Sequence, residues 1–417
     1  MPPSGPAGRV RASSSPGSAR TVNRVRWRRA GRGGRRTAVA TTAVALALLV
    51  SGCGDDGYTP SGPFRPLPQG EPPQVGPPSV TAPAPAPAPS RPSPQSGQRQ
   101  SGDPNVVASN LAIPTGLVVL PDGSAIVGER ATGRLVQVFA DRSPAKVLMT
   151  VPGIDATGDG GLLGLALSPT FDQDGLLYAY VSTAADNRVV RFPIGGTPNP
   201  VLTGIPHAAG RNGGGLYFAG DGTLFVGTGD TGVPRLAQDP ASLAGKVLHI
   251  DVFGHAADSG PVYARGLGDV TALCLSGDQK IYASDVAAGG PDELDQLAAG
   301  ADYGYPDQAP ASVDPAVTLP PGQGGLGGCA FTGRTAFLGA LDGQRVDIAA
   351  LDARGALTGK ITDVLAGRYG RLRTVAIDSD GALWITTSNR DGIGTPANDD
   401  DKVLRIVPPT SSGNSPL

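Results

Sequence analysis

Residues 214–230 read GGLYFAGDGTLFVGTGD: a short β-type run, an Asp221-Gly222 turn, and a second β-type run. Glycine accepts the positive φ that a tight hairpin demands, so Asp-Gly between two such runs signals a two-stranded unit. The same texture recurs in both directions. Upstream lie PTGLVVLPDGSAIVGE (114–129) and LGLALSPTFDQDGLLYAYVS (163–182). Downstream lie VTALCLSGDQKIYASD (270–285), GGCAFTGRTAFLGAL (327–341) and RTVAIDSDGALWITTSN (373–389). Six copies at a period of roughly fifty residues match four-stranded blades in a ring. The expected fold is therefore all-β, a six-bladed β-propeller over residues 106–407, with almost no amphipathic helix. Two β-sandwiches are the alternative, but they leave the repeated hairpin unexplained.

The flanks differ in kind. Residues 1–36 hold ten Arg and no Lys, Asp or Glu, and Thr37–Val50 is an apolar run ending at Val50-Ser51-Gly52-Cys53. A basic stretch, a short apolar stretch and small residues before a cut form a secretory signal, and the apolar run is too short for a comfortable membrane span. Gly52-Cys53 at its end resembles a bacterial lipobox, which makes residues 1–52 a signal peptide and Cys53 the lipidated N-terminus. Arg35-Arg36 also permits twin-arginine export. Residues 53–105, rich in Pro, Ser, Ala and Gln, read as a disordered tether, and residues 408–417 as a disordered tail. The expected location is the extracytoplasmic face of the cell membrane, held by the lipid anchor. The ten arginines leave with the signal, so the remainder has a formal net charge of −12 against −2 for the whole chain. An acidic surface argues against nucleic acid as a partner.

Within the propeller region, a set of stretches resembles the soluble quinoprotein glucose and sorbosone dehydrogenases. They include Gly160–Leu167 (GGLLGLAL), Asp186–Phe192, Gly227–Asp230, Ala237–Pro240, Ser242–Leu248, Asp292–Leu294, Asp302–Pro306, Gly370–Arg373 and Val403–Ile406, in family order. The resemblance implies a propeller that holds pyrroloquinoline quinone (PQQ) with calcium over its central tunnel and removes a hydride from a sugar carbinol carbon. The hydroxyl proton must leave as well, so such an enzyme needs a general base. Its cofactor carries three carboxylates and so needs cations.

The candidate site follows from that resemblance and departs from it. The family base is a His, yet Arg211 stands there in Gly210-Arg211-Asn212-Gly213-Gly214-Gly215, and a guanidinium does not deprotonate in proteins. His207, four residues upstream, is the substitute a loop shift would bring in; an ordinary loop residue is the plainer reading. Asp230 would orient a base or simply end a strand. Asp159, Arg211, Asp269, Arg371 and Arg373 are the candidate cofactor contacts, with Gly268 and Asp269 standing where the family has a cation and an amide. Arg371 and Arg373 alternate along a strand and so share a face. For calcium, the resemblance implies carbonyls at Ala287 and Ala288, with Asp292, Glu293 and Tyr303; oxygen ligands of this kind suit that ion. Cys274 and Cys329, on the first strands of neighbouring blades, form a disulfide or stay as two buried thiols, and export permits the former. Two functions compete. One is a PQQ-dependent oxidoreductase of sugars or polyols. The other is a non-catalytic propeller that binds a glycan, an anionic ligand or an envelope protein.

Overall fold

The computed structural model describes residues 102–307 and 311–407; the signal, lipidation and tail assignments lie outside the described residues, as do residues 53–101 of the tether. Six antiparallel four-stranded sheets form the ring. Blade 1 runs Pro114–Val119, Ala125–Glu129, Arg134–Val138 and Lys146–Thr150. Blade 2 runs Leu162–Leu167, Leu176–Ser182, Asn187–Pro193 and Asn199–Ile205. Blade 3 runs Gly213–Phe218, Leu224–Thr228, Lys246–Ile250 and Val262–Arg265. Blade 4 runs Val270–Leu275, Ile281–Asp285, Asp292–Gln296 and Val317–Leu319. Blade 5 runs Leu326–Thr332, Thr335–Ala340, Arg345–Ala350 and Thr362–Val364. Blade 6 takes Leu372–Ile377, Leu383–Thr387 and Val403–Ile406 from the end of the chain. Its outer strand, Val106–Ala108, comes from the beginning and pairs with Val403–Ile406. Asp103, within the stretch read as tether, accepts a hydrogen bond from the Tyr369 hydroxyl at 2.7 Å.

The hairpin reading is met in detail. Gly123 and Gly222 take φ of 79° and 86°, and the preceding Asp122 and Asp221 accept bonds from the amides of Ser124 and Thr223. Blade 2 inserts a four-residue helical turn, Phe171–Asp174, at the same corner.

Cores lie between blades rather than within them. Ile126 and Leu135 of blade 1 pack with Leu162, Leu177 and Phe192 of blade 2. Trp384 of blade 6 is fully buried against Val127 and Val136 of blade 1, its indole N–H donating to Asp378 at 2.9 Å. Apolar area removed from water at these junctions is what closes the ring. Threonines stitch neighbouring inner strands near one rim. Thr115 Oγ1 donates to the Leu162 carbonyl at 2.6 Å, and Thr374 Oγ1 donates to that of Thr115. Cys274 and Cys329 are disulfide-bonded, Cα atoms 5.9 Å apart, tying the inner strands of blades 4 and 5. The inner strands surround a channel of about 460 Å3.

Candidate active site at the channel rim

Each inner strand begins, and each second strand ends, at one rim of the channel, because the hairpins are antiparallel. The loops at that rim hold most of the candidate residues. Arg211 sits just before blade 3 with φ of 60°. Its amide donates to Asp159 Oδ2 at 2.7 Å, its Nε to Asp230 Oδ1 at 2.6 Å and its Nη2 to the Val286 carbonyl at 2.9 Å. Asp230 is fully buried; its second oxygen accepts the Tyr305 hydroxyl at 2.7 Å. Burial alone would lower the Arg211 pKa, but the Asp230 hydrogen bond and the nearby Asp269 charge hold it above its ordinary value. Burial, then Asp230, raises the Tyr305 hydroxyl to about 12. Asp159 also accepts from Asn212 Nδ2 at 2.6 Å. Asp269 accepts from the Gly213 amide at 2.7 Å, and its own amide donates to Asp285 Oδ1 at 2.6 Å. Burial pushes the Asp269 carboxyl up to about 7. The structure thus joins Asp159, Arg211, Asp230 and Asp269 in one network, to which Tyr305 and Asp285 belong as well.

The two arginines of blade 6 part company. Arg371 is spent: Nε donates to Asp391 and Nη1 to Asp342, both at 2.8 Å. Arg373 lines the channel and makes no hydrogen bond or ion pair among the described residues. Sequence reasoning passed over Arg130, which follows the second strand of blade 1 and reaches the same rim, with Nη1 donating to the Gly158 carbonyl at 2.6 Å.

His207 does not join the network. Its Nε2 is buried without a hydrogen-bond partner among the described residues. His249 packs on Phe225 and bonds Thr223 and Asp258.

The metal-ligand expectation is rearranged. Asp292 is turned to the Gly325 amide, and the Tyr303 hydroxyl donates to the Gln296 carbonyl at 2.7 Å. Ala287 and Ala288 lie in the loop between the second and third strands of blade 4. Glu293 instead meets Asp285 and Asp295, with carboxylate oxygens within 4.8 Å of one another. Asp295 is fully buried and neither of its oxygens has a hydrogen-bond partner among the described residues. Burial and mutual repulsion raise Glu293 to about 7, Asp285 to about 6 and Asp295 well above the carboxylate range. Three crowded carboxylates, of which Asp295 has both oxygens unpartnered among the described residues, fit a hard divalent cation.

A six-bladed propeller with a mixed guanidinium and carboxylate rim around a central channel is the class that fold and site define. The family model for glucose / sorbosone dehydrogenase matches residues 111–313. The structure of the PQQ-bound form of aldose sugar dehydrogenase from Streptomyces coelicolor is 35% identical, with a TM-score of 0.69, over 72% of this chain and 96% of that one. Aldose sugar dehydrogenase YliI of Escherichia coli is 23% identical over 69% of this chain and 90% of its own. Quinoprotein glucose dehydrogenase B of Acinetobacter calcoaceticus is 26% identical over 50% of this chain, and the match spans only 53% of that relative. The chain belongs to the glucose/sorbosone dehydrogenase family.

Proposed function

We propose that this chain is a PQQ-dependent oxidoreductase of sugars or polyols, exported and held by a lipid on Cys53 at the outer face of the cell membrane. The observation that carries the proposal is Arg373, a guanidinium without a partner at the channel wall, in a chain 35% identical to a PQQ-bound enzyme. A tricarboxylate fits a rim where Arg130 and Arg373 form no ion pair among the described residues. PQQ, when bound, supplies the acceptor for the hydride of a carbinol carbon. The chain's own residues do the rest. Arg373 and Arg130 bind, while Asp285, Glu293 and Asp295 would hold calcium. Arg211 keeps its proton and so orients Asp159, Asp230 and the Val286 carbonyl rather than serving as base.

That lock on Arg211 favours a second reading, in which the rim binds an anionic ligand, a glycan or an envelope protein without turnover. Titrating the calcium-loaded propeller with PQQ by calorimetry, then adding an aldose and following quinone absorbance, separates them. Binding followed by bleaching is the expected result. Binding without bleaching would favour the second reading, and no binding at high micromolar PQQ would remove the first.

A further inference from the structure

Asp230, Asp269, Asp285, Asp292, Glu293 and Asp295 all lie on blade 4 or at its border with blade 3, and all but Glu293 are buried. Among the described residues, one ion pair serves the whole group, that of Arg211 Nε with Asp230 Oδ1 at 2.6 Å. Burial raises the Asp269, Asp285 and Asp292 carboxyls, and the Arg211 charge pulls each of them down. Arg211 is thus a counter-charge shared by carboxylates on several elements. Buried carboxylates without one are costly.

The guanidinium is seated much as a metal ion would be. Besides Asp230 Oδ1, it meets the Val286 carbonyl, 2.9 Å from Nη2. Asp269 feels its charge without an ion pair to it. Asp269 Oδ1 accepts the Gly213 amide, and its Oδ2 makes no hydrogen bond among the described residues. The backbone keeps the space clear. A Cβ at Gly268 would lie 2.7 Å from Arg211 Nη2 and 2.6 Å from the Val286 oxygen, and one at Gly229 would strike Asp269 Oδ1. Two carboxylates from separate loops and a backbone carbonyl are oxygen donors of the kind a hard cation takes.

We propose that the Arg211 guanidinium is a built-in counter-ion, filling a cation site formed by Asp230, Asp269 and the Val286 carbonyl in place of a divalent metal. With it, this part of the rim is held by a cation that no chelator removes. Without it, the same oxygens take a calcium ion. The site uses none of the trio Asp285, Glu293 and Asp295, and it depends neither on PQQ nor on turnover.

The test uses the full chain carrying Glu293→Gln, which disables the trio. This parent is compared with the same chain carrying Arg211→Gly or Arg211→Lys as well. Glycine removes the side chain and suits the φ of 60°; lysine keeps the charge. Calcium is titrated by calorimetry, and melting is followed in chelator, in calcium, and in potassium chloride of equal ionic strength. Arg211→Gly is expected to melt lower than the parent in chelator, to bind one calcium ion, and to recover by several degrees when it does. The parent and Arg211→Lys are expected to bind none and to melt alike with and without calcium. No calcium binding by Arg211→Gly would overturn the proposal. So would an equal gain from potassium chloride, or calcium binding by the parent or by Arg211→Lys that matches Arg211→Gly. If Arg211→Gly does not fold in chelator, refolding in calcium but not in potassium chloride is the supporting result, and failure in both overturns it.

Discussion

Arg211 stands where the family resemblance implies a base, and a guanidinium does not deprotonate in proteins. Its backbone lies at φ of 60°, a conformation in which His is several-fold enriched among non-glycine residues. Histidine therefore fits there, beside the buried Asp230 that would orient it. Arg211→His is expected to raise the rate of aldose oxidation by the PQQ-loaded protein by about 10²-fold or more, the usual worth of a general base. Steady-state rates with and without the substitution check this, and an unchanged rate would mean that proton removal does not limit turnover. At this scale the sequence was partly legible. The substitution at Arg211 could be read from its motif, and so could the acidic partner at Asp230. Arg371 and Arg373 looked alike because strand alternation puts them on one face. Only the approach of Asp342 and Asp391, from loops distant in sequence, distinguishes the neutralised arginine from the bare one. Arg130 carried no motif at all.

The third strand of blade 4 shows what register adds. Glu293 and Asp295 share a face by alternation, and Asp285 is the cross-strand partner of Glu293. Cross-strand pairing could not be read from the order of residues, so Asp285 and Asp295 were missed while Glu293 was named beside Asp292 and Tyr303. The trio sets a pH dependence. Its folded pKa values, about 6 for Asp285 and about 7 for Glu293, lie above the ordinary values of 3.8 and 4.5. A group raised in this way stabilises the fold when protonated, and that contribution is lost as pH rises through 6 and 7. Calcium would replace the protons. The calcium-induced rise in melting temperature is therefore expected to be larger at pH 8 than at pH 5, and Glu293→Gln is expected to flatten the difference. Scanning calorimetry with and without a chelator measures it; an equal rise at both pH values would count against the trio as the site.

For the whole molecule, the six hairpins were visible because each repeats strand, polar turn, strand, four of them through Asp-Gly, and blade number followed from the period. The closing of the ring was not visible, because Val106–Ala108 is only three residues long and finds its partner at the far end of the chain. That short strand carries weight out of proportion to its size: Val106 packs with Leu372 and Ile385, while Val107 packs with Trp384 and Val127. A chain beginning after Ser109 is expected to lose several kcal/mol, since two buried Val side chains alone account for about 3–6 kcal/mol. Chemical denaturation measures this, and unchanged stability would show that blade 6 stands on three strands.

The seam also fixes when the site comes into being. The two strands that meet there are nearly three hundred residues apart in the chain. At ~5–20 residues per second of synthesis, the first strand waits roughly 15–60 s for its partner. Arg371, Arg373 and Asp391 belong to that last-made blade. The rim is therefore incomplete throughout elongation, and any ligand that needs the whole rim can enter only a finished chain.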